Sequence, residues 1–273
     1  MPWALISVAA SFLVFGLLTR FFACNRGQRS FAAKGFADDV LYWGVSVLAY
    51  SDLSKLILTL AVGAAFGAKS GWIMGQIAAG WGWAHALPLL AQAALVLVVT
   101  DVVQYWLHRA FHGRTLWPFH AVHHSAVEVD WTTTYRVHPV NFLIYNACVA
   151  ALVRAIGFSP AVFVLLAPFN FVMGALVHAN LDWSFGPFRY VLASPVFHRW
   201  HHSSDPRVRD KNFAPTFPVL DLMFGTFHMP AGELPRSYGA EGVPDHFLGQ
   251  MAWPFKVLAR RLADWAKAGR AIA

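Results

Sequence analysis

The chain is poor in charge. Lys, Arg, Asp and Glu make up 13% of its 273 residues, while hydrophobic residues make up 57%. A soluble domain carries roughly a quarter charged residues, so an ordinary soluble surface is excluded. Cysteine is scarce as well. Cys24 and Cys148 lie far apart, which excludes a disulfide framework and a cysteine-type zinc site. No Lys/Arg-rich tract with interleaved aromatics occurs, so the net charge of +7 does not read as nucleic-acid binding. Cytoplasmic loops and lipid headgroups account for it better. No His-Glu-x-x-His motif is present, which argues against a zinc metalloprotease. Aromatics are plentiful instead. The 12 Trp and 23 Phe fit a protein whose rings gather at membrane interfaces.

Histidine is concentrated rather than scarce. Ten of the thirteen fall between residues 108 and 202. They include His108-x3-His112, His120-x2-His123-His124, His198-x2-His201-His202 and a single His178. The two triplets are near-copies, Phe119-His120-Ala121-Val122-His123-His124-Ser125 and Phe197-His198-Arg199-Trp200-His201-His202-Ser203. Spacings of three and four residues put each triplet on one helical face. Trp117-Pro118 and Ser194-Pro195 precede the triplets, and Pro suits a helix's first turn. Three short helical pieces of this kind can surround a common centre, with His178 closing it. Imidazole is the commonest protein metal ligand, and so many ligands exceed the need of one metal. Two metals are expected. His85, His228 and His246 read as ordinary structural residues, and His138 as structural or substrate-side packing. Arg199, inside a triplet, reads as a solvent-facing contact with the cap.

The apolar stretches predict an all-α, multi-span membrane bundle beneath a cytoplasmic, histidine-rich di-metal cap. Trp3 to Leu18 reads as an uncleaved first span, with a signal peptide as the alternative. Val40 to Phe66 reads as a second span and Ala86 to Val103 as a third. Phe142 to Val177 is broken by Arg154, Gly157, Pro160 and Pro168, so it reads as a hairpin that enters the membrane and returns. The basic residues Arg20, Arg26, Arg29, Lys34, Arg109, Arg114 and Arg136 put the 20–39 loop and the histidines on the cytoplasmic side. The composition and short loops look bacterial, which makes the location an inner membrane. Three regions follow. Residues 1–100 hold the N-terminal spans and 101–230 the metal domain with its hairpin. Residues 231–273 hold a cap and an amphipathic helix, because Phe255, Leu258, Leu262 and Trp265 recur at helical spacing among basic residues. Membrane-surface binding and packing on the cap are both open for that helix.

All-nitrogen ligand sets suit Fe, Zn, Cu or Ni. Eight or nine histidines exceed what a structural or catalytic zinc uses. An imidazole-rich iron pair can bind O2 and attack an unactivated C–H bond, the protein supplying position and exclusion of water. Asp101, Tyr105, Asn180 and Asp182 are expected to support the ligands from behind.

The order of the motifs, with Trp106-Leu107-His108-Arg109, His178-Ala179-Asn180, Asn212-Phe213 and Asp221-Leu222-Met223-Phe224-Gly225-Thr226-Phe227, resembles the fatty acid hydroxylase superfamily, also called the sterol desaturase family. The resemblance runs from about Asp101 to Phe227. It implies an integral membrane di-iron oxygenase that hydroxylates or desaturates lipids with O2 and two external electrons. It carries His108, His112, His120, His123, His124, His178, His198, His201 and His202 over as iron ligands, with zinc as a substitute metal. The first motif is His-x3-His, unlike the His-x4-His of the carotenoid hydroxylase branch. Some members have a second His-x3-His where this chain has His178 and Asp182. No cytochrome b5-like His-Pro-Gly-Gly occurs. Electrons are therefore expected from a separate cytochrome b5- or ferredoxin-type partner with its reductase. Three other readings compete: a membrane metal-binding or transport protein, a non-enzymatic family member, and a zinc-dependent lipid hydrolase.

Overall fold

A computed structural model describes residues 2–28, 33–46, 67–79 and 82–272, together with Leu53, Leu56, Leu60, Gly63 and Ala64. The described residues form helices and turns. Their one β feature is an isolated bridge between Ser203 and Tyr238.

Helix α1 (Pro2–Phe22) covers the predicted first span. Phe12 and Phe15 of α1 pack on the ring of Trp131 at 4.7 and 5.8 Å. Helix α2 (Phe36–Val45) follows Gly35, which has φ +90. A Cβ there would lie 2.4 Å from Arg136 Nη2, so both the backbone and the guanidinium require glycine. Most of the predicted second span, Val40 to Phe66, lies outside the described residues. Helix α3 (Ser70–Ala79) comes next.

Among the described residues, three helices are long and apolar enough to cross a membrane: α4 (Leu89–Phe111), α6 (Pro139–Ile156) and α7 (Ala161–His178). At 1.5 Å per residue they measure about 35, 27 and 27 Å, against a hydrocarbon core of about 30 Å. The third predicted span thus starts later and runs two turns further than its apolar stretch. That extension carries His108. The predicted hairpin is α6 and α7. It turns at Gly157, whose φ of +83 ends α6 in a left-handed cap. Gln92 fastens the turn to α4, donating to the Leu87 carbonyl at 2.8 Å and accepting from the Ser159 amide at 2.8 Å. Below this clamp Ala93, Val96, Val153, Val162 and Leu166 make one core cluster. Leu90, Val98, Val164 and Val172 remain exposed on the outer faces, as lipid-facing residues should.

The cap is built from short pieces, among them α5 (Trp117–Ala121), α8 (Pro195–His201) and α9 (Val219–Met223). The final helix, α10 (Phe247–Ile272), confirms the predicted amphipathic segment as helical. Its first turns dock on the cap: Tyr42 donates to Gln250 Oε1 at 3.0 Å, and Phe255 meets Phe119 at 5.5 Å.

Candidate metal centre

Each histidine motif is aimed by local structure. His108 lies in the last turn of α4 and His112 caps that helix. Pro118 starts α5, which carries His120, and a single 3-10 turn then presents His123 and His124. His178 is the last residue of α7. Ser194 Oγ accepts the Phe197 amide at 3.2 Å and Pro195 opens α8. That helix carries His198 and His201, with His202 as its cap. Eight of the nine are buried, and His112 is half-buried.

They form two adjoining groups, not one common centre. His108, His112, His120, His124 and His201 make the first, and His123, His178, His198 and His202 the second. Within each group the ligand atoms lie within 4.8 Å of one another. Each triplet is therefore split, which corrects the expectation that it presents one face to one centre. Four residues overshoot a full turn by about 40°, and three fall about 60° short. The i and i+4 imidazoles consequently share a group while the i+3 imidazole turns to the other. His120 and His124 serve the first group and lend His123 to the second. His198 and His202 serve the second and lend His201 to the first. The groups touch where His124 stacks on His202 at 4.5 Å.

The ring nitrogens report what the centre binds. His108 Nδ1–H donates to the Phe213 carbonyl at 2.7 Å, and His120 Nδ1–H to Asn141 Oδ1 at 2.8 Å. His123, His178 and His201 donate in the same way to the carbonyls of Arg136, Gly174 and Lys211. His112 donates to Asp210 Oδ1 at 3.1 Å. These acceptors fix the proton on Nδ1 and leave Nε2 as a bare lone pair. Yet His108 Nε2 faces His120 Nε2 at 3.0 Å, and His178 Nε2 faces His123 Nε2 at 3.2 Å. Two lone pairs at that distance repel unless a cation lies among them. His112 Nε2 and His201 Nε2 are buried without a partner. The donor set therefore fits metal in both groups. Burial, reinforced by neighbouring imidazoles, holds His120, His123, His124, His198, His201 and His202 well below the usual histidine range. They are neutral near pH 7, as ligands must be.

Several residues behind the ligands escape sequence reading. Asn141 and Asp210 hold His120 and His112, and neither belongs to a motif with a spacing signal. Arg136 offers its carbonyl to His123 while its guanidinium pairs with Asp39 at 2.6 Å, both side chains buried. Of the residues expected to support the ligands, Tyr105 is buried and bonds Thr226 Oγ1 at 2.9 Å. Thr226 in turn donates to Asp221, which accepts the Phe213 amide. Tyr105 thus braces the loop whose carbonyl holds His108. Asp101 accepts the amides of Thr216 and Phe217 at 2.8 and 3.0 Å. Asn180 is buried but bonds Asn25 rather than a histidine. Asp182 is exposed and stands outside both groups. Arg199 is not solvent-facing. It is fully buried and donates to the carbonyls of Val129 and His178 at 2.5 and 3.2 Å. Its place one residue after His198 turns it about 100° away round α8, where it also donates to Asn25 just beyond the end of α1. His138 caps α6 by accepting the Val140 amide, a structural role.

A cavity of about 490 Å³ lies between α4, α6 and α7. Val96, Val149, Phe163 and Leu166 line its apolar part, and His108, His120, His123, His178 and His198 form one wall. It therefore reaches both metal groups. Gln104 and Asn170 also line it, and neither amide has a hydrogen-bond partner among the described residues.

Residues 93–226 match the fatty acid hydroxylase family model. The matched segment is a fatty acid hydroxylase domain, and the nine histidines all fall within it. Among relatives, an ornithine lipid hydroxylase of Rhizobium tropici is 32% identical over 181 residues, 66% of this chain and 55% of that protein. An alkylglycerol monooxygenase of Xenopus tropicalis is 32% identical over 134 residues, 49% of this chain and 30% of that protein. A very-long-chain aldehyde decarbonylase of Oryza sativa subsp. indica is 31% identical over 172 residues, 57% of this chain and 27% of that protein. The chain thus spans about half of the first relative and under a third of the other two. No solved structure matches it.

Proposed function

We propose that this protein is a membrane-bound, O2-dependent oxidoreductase that holds two iron ions and hydroxylates or desaturates a lipid C–H bond. One observation carries the reading. Two groups of converging, bare imidazole nitrogens wall an apolar cavity between three span-length helices. Bound iron supplies activation of O2 and removal of hydrogen from carbon. Hydroxylation consumes O2, two electrons and two protons, and yields the alcohol and water. The electrons come from a separate cytochrome b5- or ferredoxin-type donor and its reductase.

The chain's own residues do the remaining work. The Nδ1 acceptors orient six of the nine imidazoles, those of His108, His112, His120, His123, His178 and His201, before any metal arrives, which lowers the ordering cost of binding. Val96, Phe163 and Leu166 receive an acyl or isoprenoid chain and exclude water. A cavity of this volume falls within the roughly 300–1,000 Å³ of small-molecule sites. Gln104 and Asn170 receive a polar group of the substrate, since an unpaired amide at membrane depth is costly. The proposed setting is a bacterial inner membrane with the histidines on the cytoplasmic side, which follows the basic loops.

A zinc hydrolase would need a carboxylate base beside its activated water, and neither group contains an Asp or Glu among the described residues. A transporter would spread its ligands through the membrane, whereas these gather at one end of the spans. The test is elemental analysis of detergent-purified, chelator-free protein, followed by lipid profiling of an overexpressing strain with and without O2. About two irons per chain and an O2-dependent oxidised lipid are expected. Failure of anaerobically iron-reconstituted protein to oxidise any lipid would overturn the oxygenase reading.

A further inference from the structure

We propose that the C-terminal half of α10 lies on the bilayer surface and binds anionic lipid headgroups. Gln250 and Pro254, in the first half, are buried against the cap. Beyond Arg261 the described side chains are exposed apart from Ala266. Leu248, Phe255 and Leu262 recur every seven residues, and Trp265 follows one turn on. They are 75, 54, 67 and 78% exposed, a stripe too apolar to be left in water. Across the helix from that stripe, Lys256, Arg260 and Lys267 form an exposed row, for the most part about 120–160° round from the stripe's members. None of the three is in an ion pair among the described residues, and Asp264 is the helix's single acid. An apolar stripe on one face and a basic row on the other is the pattern of an interfacial helix.

The height of the helix fixes the occupant. Arg261 donates to the carbonyl of Arg114, three residues beyond the end of α4 at Phe111. Phe255 packs on Phe119 of α5. The helix therefore lies level with the end of a membrane span, where headgroups are. A second copy of the chain could cover the apolar stripe, but the uncompensated basic row would then repel its counterpart. Headgroup phosphates neutralise it. Each Lys or Arg at such a surface is worth about fivefold in partitioning.

The test uses the full chain in vesicles. A nitroxide is attached at Leu262→Cys in a Cys148→Ser background, with Lys256→Cys as its counterpart. Cys148 is exposed and Cys24 is buried. Collision with O2, which concentrates in the bilayer, is compared with collision with a water-soluble nickel chelate. In phosphatidylcholine–phosphatidylglycerol vesicles the O2-to-chelate ratio at 262 should exceed that at 256 several-fold. The triple variant Lys256→Gln, Arg260→Gln, Lys267→Gln, labelled at 262, should lose the high ratio at that site while retaining its thermal midpoint. A label at 262 open to the chelate would overturn the proposal. So would one shielded from both reagents, which marks a contact between copies, or a high ratio at 262 unchanged by the triple variant.

Discussion

At the scale of single residues, the centre depends on side chains that hold a proton in place for a neighbour. His120 is left with a bare Nε2 because Asn141 Oδ1 takes its Nδ1–H at 2.8 Å. Asn141→Leu should therefore lower iron affinity by about 10–100-fold, the usual cost of losing such an orienting partner. Asn141→Asp should restore most of it, and a competition titration against a chelator reads the difference. His120→Ala should abolish oxygenation by emptying the first group, and full activity with normal iron content would remove that assignment. Asp39 acts one step further out. Its carboxylate meets a buried guanidinium in Arg136, whose carbonyl holds His123. Asp39→Ala leaves that cation unpaired and should cost about 3–5 kcal/mol, seen as a lower thermal midpoint in detergent. Asn170→Leu should leave iron content unchanged and alter the lipid product profile, since Asn170 lines the cavity without touching a histidine nitrogen.

At the scale of elements, short helices prove better suited to the site than long ones. Helices α5 and α8 have five and seven residues. Each ends within its histidine motif. The hairpin is the other decisive element, because it delivers His178 back to the side where α4 ends. Its turn rests on Gly157 at φ +83. A β-branched residue there is held in a left-handed conformation that costs about 1–2 kcal/mol. Gly157→Val should lower the thermal midpoint while leaving the metal stoichiometry of the folded fraction unchanged. Hairpin and spans were legible from the sequence because apolar length and Pro/Gly interruptions are local signals. Helix α4 was only partly legible. Its last two turns are amphipathic rather than apolar, so hydropathy ends before the helix does.

At the scale of the whole molecule, the proposed metal would couple its binding to folding. Nine neutral imidazoles converge in a buried space, and without cations their lone pairs oppose one another. Chelation should lower the thermal midpoint, and iron should restore it in a concentration-dependent way, following RT ln(1 + [L]/Kd). Zinc should restore the midpoint as well without restoring oxygenation, which separates the structural from the chemical role of the ion. A midpoint indifferent to chelator, in protein shown to have held two irons, would mean that the apo-site relaxes at no cost.

The sequence by itself determined the helical class, the hairpin and the histidines that cluster in the fold. Those follow from hydropathy, residue type and spacing, all of which act over a few neighbouring positions. It also carried the family, since order and flanks of the motifs are written in the chain. The tertiary structure alone decided how the ligands divide. Spacing put each triplet on one face, whereas the approach of α5 and α8 from opposite sides lets each lend its middle histidine to the other's group. The same holds for the residues behind the ligands. Asp182 looked suitable from its place four residues after His178 and is exposed, while Asn141, Asp210 and the Phe213 carbonyl hold histidines 21, 98 and 105 positions away. Partners at such separations leave no local pattern, because only packing brings them together. Arg199 shows the reverse case: a charge that reads as surface in a linear motif is buried once α8 docks and turns it toward the carbonyls of Val129 and His178.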